Sequence, residues 1–537
     1  MGRVIQILFS KSFLVSLLAF LFASCSEFNE SLNTHYDVLI VGGAVYDGSN
    51  SSPKNINIGI IEDKIISMNA SENSSANHVL DATGYIVTPG FIDPHTHALE
   101  ELISQNQNAN VNYLTQGVTT VFVGNDGGGI PNLEATIALI TNQGIGTNMG
   151  FFVGHGDVRK IIMGLENRAP TEDELKAMLD LTADQMRLGA IGLSTGLYYT
   201  PGSFAETDEV IALAKVTSQY GGVYDTHMRD ESSYSIGLIG SIEEVIRIAK
   251  ESDISVHISH LKALGHDVWG QSGAVIQLVD NANQRGLRIT ANQYPYLAGG
   301  TRFSSVLIPA WVRADSREAM FDRLKNRDLQ DRIYEEMVRN LNRRGGPNTM
   351  LVTSNKSPWR GMFLNEIAEI MKLDVLDAAI EIIKEGDPSI ASFMINENDL
   401  HVFATQNWTM TGSDGSEGHP RKYATYPKVF QDMVLKERLF SLEKFVYRSS
   451  GLVADTFNLC DRGYLEEGRK ADIIVLDLER FIPLANFEDP TLLSTGVIHA
   501  IVNGKQVITH EHLTEELPGV VINRQKINCE VKENNNS

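Results

Sequence analysis

Residues 88–97 read TPGFIDPHTH. A Pro-Gly breaker, a short apolar run and two histidines two apart describe a strand that delivers paired imidazoles to its carboxyl end. Residues two apart on an extended chain face the same way. His95 and His97 therefore stand side by side, half of a metal site of the imidazole kind that suits zinc. Outward from this stretch the same cadence recurs. Candidate strands at 86–93, 119–123, 150–154, 190–194, 222–227, 255–260, 288–294 and 409–413 alternate with candidate helices near 101–116, 131–142, 171–188, 206–219, 240–251 and 273–284. Eight strands with helices between them are the pattern of an α/β chain folded as a (β/α)8, or TIM, barrel. In that architecture chemistry sits where strands end, so metal-liking side chains are expected at those positions.

His227 closes the fifth strand in GGVYDTHMRDE and His260 the sixth in SVHISHLK. Asp126 follows the second strand in TTVFVGNDGGG, where it can ligate one metal or bridge two, although Asn-Asp-Gly-Gly is also ordinary turn chemistry. Asp414 follows the eighth strand in MTGSDG, placed to take a proton from water and pass it to a leaving nitrogen. His257, three residues before His260, is expected to face the other side and pack. Lys262 and Arg229 each lie two residues after a candidate ligand, as cations for a substrate carboxylate. Tyr296, with Tyr294 in NQYPY, offers hydroxyl donors, and His155 in GHGDVR is a candidate donor to a tetrahedral oxyanion.

The ends of the chain read differently. Residues 36–88 and 451–525 are rich in short β runs broken by Gly-Gly and Asp-Gly turns, and are expected to close into one small β-sandwich beside a barrel over 89–450. The barrel rhythm is interrupted at about 297–408 by an insertion, expected to act as a lid. Residues 1–24 carry Arg3, Lys11 and the apolar run Phe13–Phe22, the make-up of an export leader. Ala23 and Ser24 before Cys25 resemble a bacterial lipobox, with Phe22 where Leu is usual. The expectation is a cell-envelope lipoprotein, facing the periplasm or outer membrane surface, lipidated at Cys25 and tethered by residues 25–35. That lipid would be the only membrane contact. Cys460 and Cys529 lie in no motif and receive no role. The formal net charge of −22 excludes nucleic acid as a partner, since neutralising phosphates needs basic surface, but leaves room for a local cationic pocket.

TPGFIDPHTH, HMRDE, ISHLK and GSDG, in this order and spacing, resemble the amidohydrolase superfamily. GHGDVR, GLSTGLYYTPGSFAETDEV (192–210), NQYPY and GHPRKYATYP (418–427) are similar to segments of the N-acyl-D-amino-acid deacylases, or D-aminoacylases. The resemblance runs from about residue 36 to about 510. It implies a barrel with a flanking sandwich, one or two zinc ions with manganese as the alternative, and a small substrate with a free carboxylate. It also implies ligands at His227 and His260, a weaker second site at His95 and His97, Asp414 as base then acid, and Lys262 on the α-carboxylate. Tyr199, in the 192–210 segment, is a further candidate substrate contact. One position departs: the family's Gly-Asn-Cys-Gly reads Gly124-Asn125-Asp126-Gly127 here, so Asp126 is expected to take the place of a thiolate ligand, as a harder donor. Hydrolysis of N-acyl-D-amino acids is the function implied. Alternatives are an envelope dipeptidase on D-residue-containing peptides, a cyclic amidase, and a catalytically silent binding paralogue. The cyclic amidases usually carry a carboxylated Lys at the fourth strand, where this chain reads AIGLSTG.

Overall fold

The computed structural model describes residues 34–527 and Cys529. The leader and Cys25 lie outside the described residues. Eight parallel strands form one sheet in strict sequence order: Phe91–Asp93, Val118–Val123, Asn148–Gly154, Gly192–Gly196, Val223–His227, Val256–Ile258, Ile289–Gln293 and Thr409–Thr411. The second strand, VTTVFV, is buried at every position, as a strand covered on both faces must be. The ring closes between its first and last strands through loop contacts. Asp414 N–H donates to the His95 carbonyl at 2.9 Å, and Thr96 bridges Gly415 in parallel.

The strand expected at 86–93 divides in two. Ile86–Pro89 belongs to the flanking sheet, and only Phe91–Asp93 enters the barrel. Gly90 lies between them. A Cβ there would fall 2.1 Å from Thr119 Oγ1, so the glycine lets the chain step from one sheet to the other against the second strand. The helix expected at 101–116 is also divided, into Leu99–Ile103 and Val111–Leu114. The intervening SQNQNAN has no apolar face, and Asn110 turns left-handed at φ 55°. Elsewhere the local signals hold together. In helix Glu172–Arg187, Thr171 and Glu174 form a capping box and three acidic residues occupy the first turn. Met178, Thr182 and Met186, four residues apart, are its buried face.

Both ends of the chain build the flanking sheets. One has four strands, all from the amino-terminal segment. The other joins Ile86–Pro89 and Ala44–Val45 on one side to Ile473–Leu476, Val497–Val502 and Lys505–Thr509 on the other, with Ile86–Pro89 paired to Ile473–Leu476 at the seam. The carboxyl-terminal contribution thus starts at Ile473 rather than at 451. Residues 451–459 instead stop one end of the barrel. Phe457 lies edge-on to Phe122 at 4.9 Å and Phe152 at 5.9 Å, and His257, packed as expected, meets its ring at 5.2 Å. The tail then crosses the amino ends of three strands. Met149 N–H donates to the Val520 carbonyl, Arg524 N–H to Gly189, and the Gln525 amide to Tyr220. Cys529 is bonded to Cys460, Cα to Cα 5.4 Å, which gives a role to the two cysteines that carried none in the sequence reading.

The insertion between the seventh and eighth strands folds around a core of its own. Three antiparallel strands, Ala298–Arg302, Ser389–Phe393 and Met350–Val352, pack with helices Arg317–Lys325, Arg327–Arg343, Leu364–Met371 and Val375–Glu385. Phe303, Met337, Ile382 and Ile383 belong to a hydrophobic cluster drawn only from residues 303–390.

Candidate active site

The carboxyl ends of the strands converge on two groups of donors. His95, His97, Asp126 and Asp414 form one, and Asp126, His227 and His260 the other, the donor atoms of each lying within 4.8 Å of one another. Asp126 belongs to both. Its Oδ1 is 3.5 Å from His95 Nε2, 3.4 Å from His260 Nε2 and 3.8 Å from His227 Nδ1, while Oδ2 is 3.6 Å from His97 Nε2. Asp414 Oδ1 is 3.2 Å from His97 Nε2 and 3.5 Å from His95 Nε2.

The backbone is forced to reach this arrangement. Asp126, His260 and Asp414 hold φ values of 57°, 37° and 48°, a region that L side chains rarely adopt. Asp126 is held close to the fourth strand, where a Cβ on Gly196 would fall 2.2 Å from its carbonyl oxygen. The set is only partly satisfied within itself: His227 Nδ1 meets His260 Nε2 at 2.8 Å, but His95 Nε2 and Asp126 Oδ1 are buried without a hydrogen-bond partner among the described residues. Buried polar atoms are rarely left so. Imidazoles and carboxylates clustered at this spacing fit one or two divalent cations.

Electrostatics favour the same use. Burial pulls the His227 imidazole down to about 4, so it is neutral and ready to ligate. Burial alone would push the Asp126 carboxyl up, but His95 and His260 outweigh it and hold the group ionised. Asp414 is likewise kept well below the usual carboxylate range, with burial opposed by Arg421, His260 and His97. Arg421 Nη1 is 2.7 Å from Asp414 Oδ2, an ion pair by distance that is out of line for a hydrogen bond.

Two neighbours of these donors, Glu231 and Arg421, had no place in the sequence reading. Glu231 Oε1 is 3.0 Å from His260 Nδ1 and orients the ring, with Nε2 turned toward Asp126 and 2.8 Å from His227 Nδ1. Arg421 stands over Tyr294, 4.6 Å to the ring centroid. The Tyr294 hydroxyl is buried with no partner among the described residues. Glu231 and Arg421 lie inside motifs quoted above (HMRDE, GHPRKYATYP), and that membership was the only sequence signal for them, whereas Tyr294 was expected as a hydroxyl donor.

Lys262 lines the same cavity of about 540 Å³. Its ammonium donates to Glu231 at 2.6 Å and to the His260 carbonyl at 3.0 Å, and also lies 2.9 Å from His260 Nδ1. Tyr199 also lines the cavity, its ring 4.7 Å from that of His227.

The other expected contacts point elsewhere. Arg229 turns outward to Glu244 on the following helix, 2.8 Å, because that carboxylate satisfies its fork. His155 is fully buried at the start of a helix, with Nε2 on Glu209 at 2.8 Å, and does not line the cavity. Tyr296 lies beyond the strand, packed edge-on to His419 at 5.2 Å, and does not line it either.

Residues 78–345 and 404–508 match the amidohydrolase family. The D-aminoacylase of Alcaligenes xylosoxydans xylosoxydans is 31% identical over 531 residues, covering 92% of this chain and 99% of that protein. The chain is an amidohydrolase of the N-acyl-D-amino-acid deacylase family. The N-acyl-D-glutamate deacylase of the same organism is 29% identical to this amidohydrolase, over 91% of the chain and 96% of that protein. The crystal structure of N-acyl-D-glutamate deacylase from Bordetella bronchiseptica, complexed with zinc and a phosphonate inhibitor, superposes with a TM-score of 0.79. It is 27% identical and covers 91% of this chain and all of that one. The architecture around the donor groups of this amidohydrolase is thus that of metal-dependent hydrolases of carbon–nitrogen bonds.

Proposed function

We propose that the chain hydrolyses the amide bond of N-acyl-D-amino acids, releasing a carboxylate and a free D-amino acid. The observation that carries this reading is the junction, in one cavity, of a clustered His/Asp donor set, with His95 Nε2 and Asp126 Oδ1 left without a hydrogen-bond partner among the described residues, and a cationic cradle. His95, His97, Asp126, His227 and His260 would hold one or two divalent ions, zinc first and manganese as the alternative. Bound there, such an ion polarises the acyl oxygen and lowers the pKa of water towards about 7. Asp414, ionised and facing the cavity, takes the proton of the attacking water and returns it to the departing nitrogen. Lys262, the Tyr294 hydroxyl, unpartnered among the described residues, and Arg421 converge on the α-carboxylate and fix the handedness of the substrate. Glu231 positions His260, and Tyr199 covers His227. His155, Arg229 and Tyr296 have no place in this scheme.

Matched N-acetyl-D- and N-acetyl-L-amino acids, offered to the zinc- or manganese-loaded protein, test the reading. Turnover of the D series alone is expected. Turnover of neither, with metal bound, would overturn it.

We propose further that the chain is exported and held at the cell envelope by a lipid on Cys25. The leader composition supports this, as does a disulfide of a kind that persists in oxidising compartments. Among the described residues no helix is long and apolar enough to cross a membrane. Release of a Cys25→Ala variant from the membrane fraction is the expected outcome; unchanged membrane retention would sink the anchor.

A further inference from the structure

The insertion brings guanidinium groups to the barrel mouth without counter-ions. Arg344 is 5% exposed and lines the catalytic cavity, yet among the described residues its guanidinium hydrogen-bonds only two hydroxyls, Tyr234 at 2.7 Å and Tyr198 at 3.4 Å, and stands over the Tyr234 ring. Arg302 lines the same cavity and donates to the Asp387 carbonyl. Behind the partition made by Tyr198, Tyr234 and Ser305 lies a second cavity of about 510 Å³ that Arg313 and Arg343 line. Arg313 Nε is buried with no partner, and Arg343 donates to Ser233 and Asn340 and stands over the Tyr234 ring. Among the described residues, none of these four guanidiniums has a carboxylate within 4.0 Å. A cation taken out of water without a partner is costly, and a buried Arg that uses two of its five N–H donors is short of acceptors. In a chain of net charge −22, buried Arg344, half-buried Arg313 and Arg343 and exposed Arg302, all from one insertion, describe a place built for an anion.

The position of this cluster says which part of a substrate it meets. Tyr198 follows the fourth strand, whereas Tyr294 and Arg421 follow the seventh and eighth. In a closed ring of eight, the fourth and eighth strands are opposite. With the scissile amide at the donor groups and its α-carboxylate at Lys262, Tyr294 and Arg421, the acyl half extends across the mouth towards Tyr198 and Arg344. We infer that the preferred substrate carries a second anion on its acyl group, a dicarboxylic or acidic peptidyl acyl chain, held by Arg344 with Arg302 and backed by Arg313 and Arg343. This inference rests on the deacylase reading.

The test compares N-succinyl-D-leucine with N-butyryl-D-leucine, equal in chain length and differing by one carboxylate, on the metal-loaded full chain. The succinyl substrate is expected to have the higher kcat/KM by about tenfold or more, an advantage that shrinks as salt is added. Arg344→Met should bring the ratio near one. Should that variant fail to fold, Arg302→Met and Arg313→Met should each lower the ratio by about threefold or more. Equal rates in the unaltered protein would overturn the inference. So would a preference for N-acetyl-D-glutamate over N-acetyl-D-glutamine without a succinyl advantage, since the anion site would then read the amino-acid side chain. A readout without turnover separates this proposal from the deacylase reading. Glutarate binding tighter than butyrate in calorimetry, lost in Arg344→Met, supports the anion site even if no D-substrate is cleaved; equal binding of the two removes it.

Discussion

Asp126 is the residue on which the two donor groups depend, because it is shared by both. Asp126→Asn keeps the shape but loses the charge and the second bridging lone-pair set. Bound metal per chain should fall, and kcat/KM with it by about a hundredfold or more; unchanged metal content and rate would remove Asp126 from the site. Asp414→Asn should cost about 10²–10⁴ in kcat with metal retained, the usual worth of a positioned acid–base group. The proton on His260 gives a pH dependence. Burial and Lys262 pull its pKa down, but Glu231, Asp414 and Asp126 outweigh them and lift it to about 9 in the metal-free protein. A ligating imidazole must be neutral, so loading metal below that pH expels a proton, and affinity should climb with pH until about 9. Calorimetry in two buffers of different ionisation enthalpy reads the released proton directly. In Glu231→Gln the His260 ring loses the carboxylate that orients it, and metal affinity should drop about 10–100-fold. Most of these donors were legible in the sequence because each ends a β-like run. Glu231 was not, since its contact with His260, 29 positions away, exists only once the fifth and sixth strands are neighbours. Arg229, His155 and Tyr296 show the converse. Nearness in sequence to a ligand does not set direction once the strand has ended: Arg229 found a partner on the following helix, His155 on the helix after the fourth strand, and Tyr296 beside His419 past the eighth.

The barrel strands are the most legible elements. Short apolar runs bounded by turn residues fix their existence, and their carboxyl ends fix where the chemistry lies. Their ends are less legible where one run serves two sheets, as at Gly90, which looks continuous in sequence and is divided only by its approach to Thr119. The insertion was recognisable as a break in rhythm, but not as a body with its own core. That core makes a separable prediction. Ile383 is fully buried within it, and Ile383→Ala should cost the insertion about 2–5 kcal/mol. Scanning calorimetry should then show a transition that precedes melting of the barrel. Metal content should stay at the level of the unaltered protein while kcat/KM falls, because the donor groups belong to the barrel and part of the cavity wall to the insertion. A single shifted transition with metal lost would show the two to be one cooperative unit.

Across the whole molecule, chemistry and fastening sit at opposite poles. The donors gather at the carboxyl ends of the strands, while the tail, Phe457 and the Cys460–Cys529 bond close the amino ends. Cys460→Ser should lower unfolding stability by about 2–4 kcal/mol, in keeping with a sequence separation of 69, and leave kcat/KM untouched. The bond could not be read from two unmotivated cysteines, because only the folded tail brings them together. The insertion has a broader meaning. Its chain leaves the barrel and returns on paired antiparallel strands, with Ala298 opposite Phe393. Departure and return therefore stand side by side, and everything between them is a cassette. Exchange of that cassette would alter which molecules are admitted while the hydrolytic machinery below stays as it is. A lineage can change its diet in this way without relearning its chemistry.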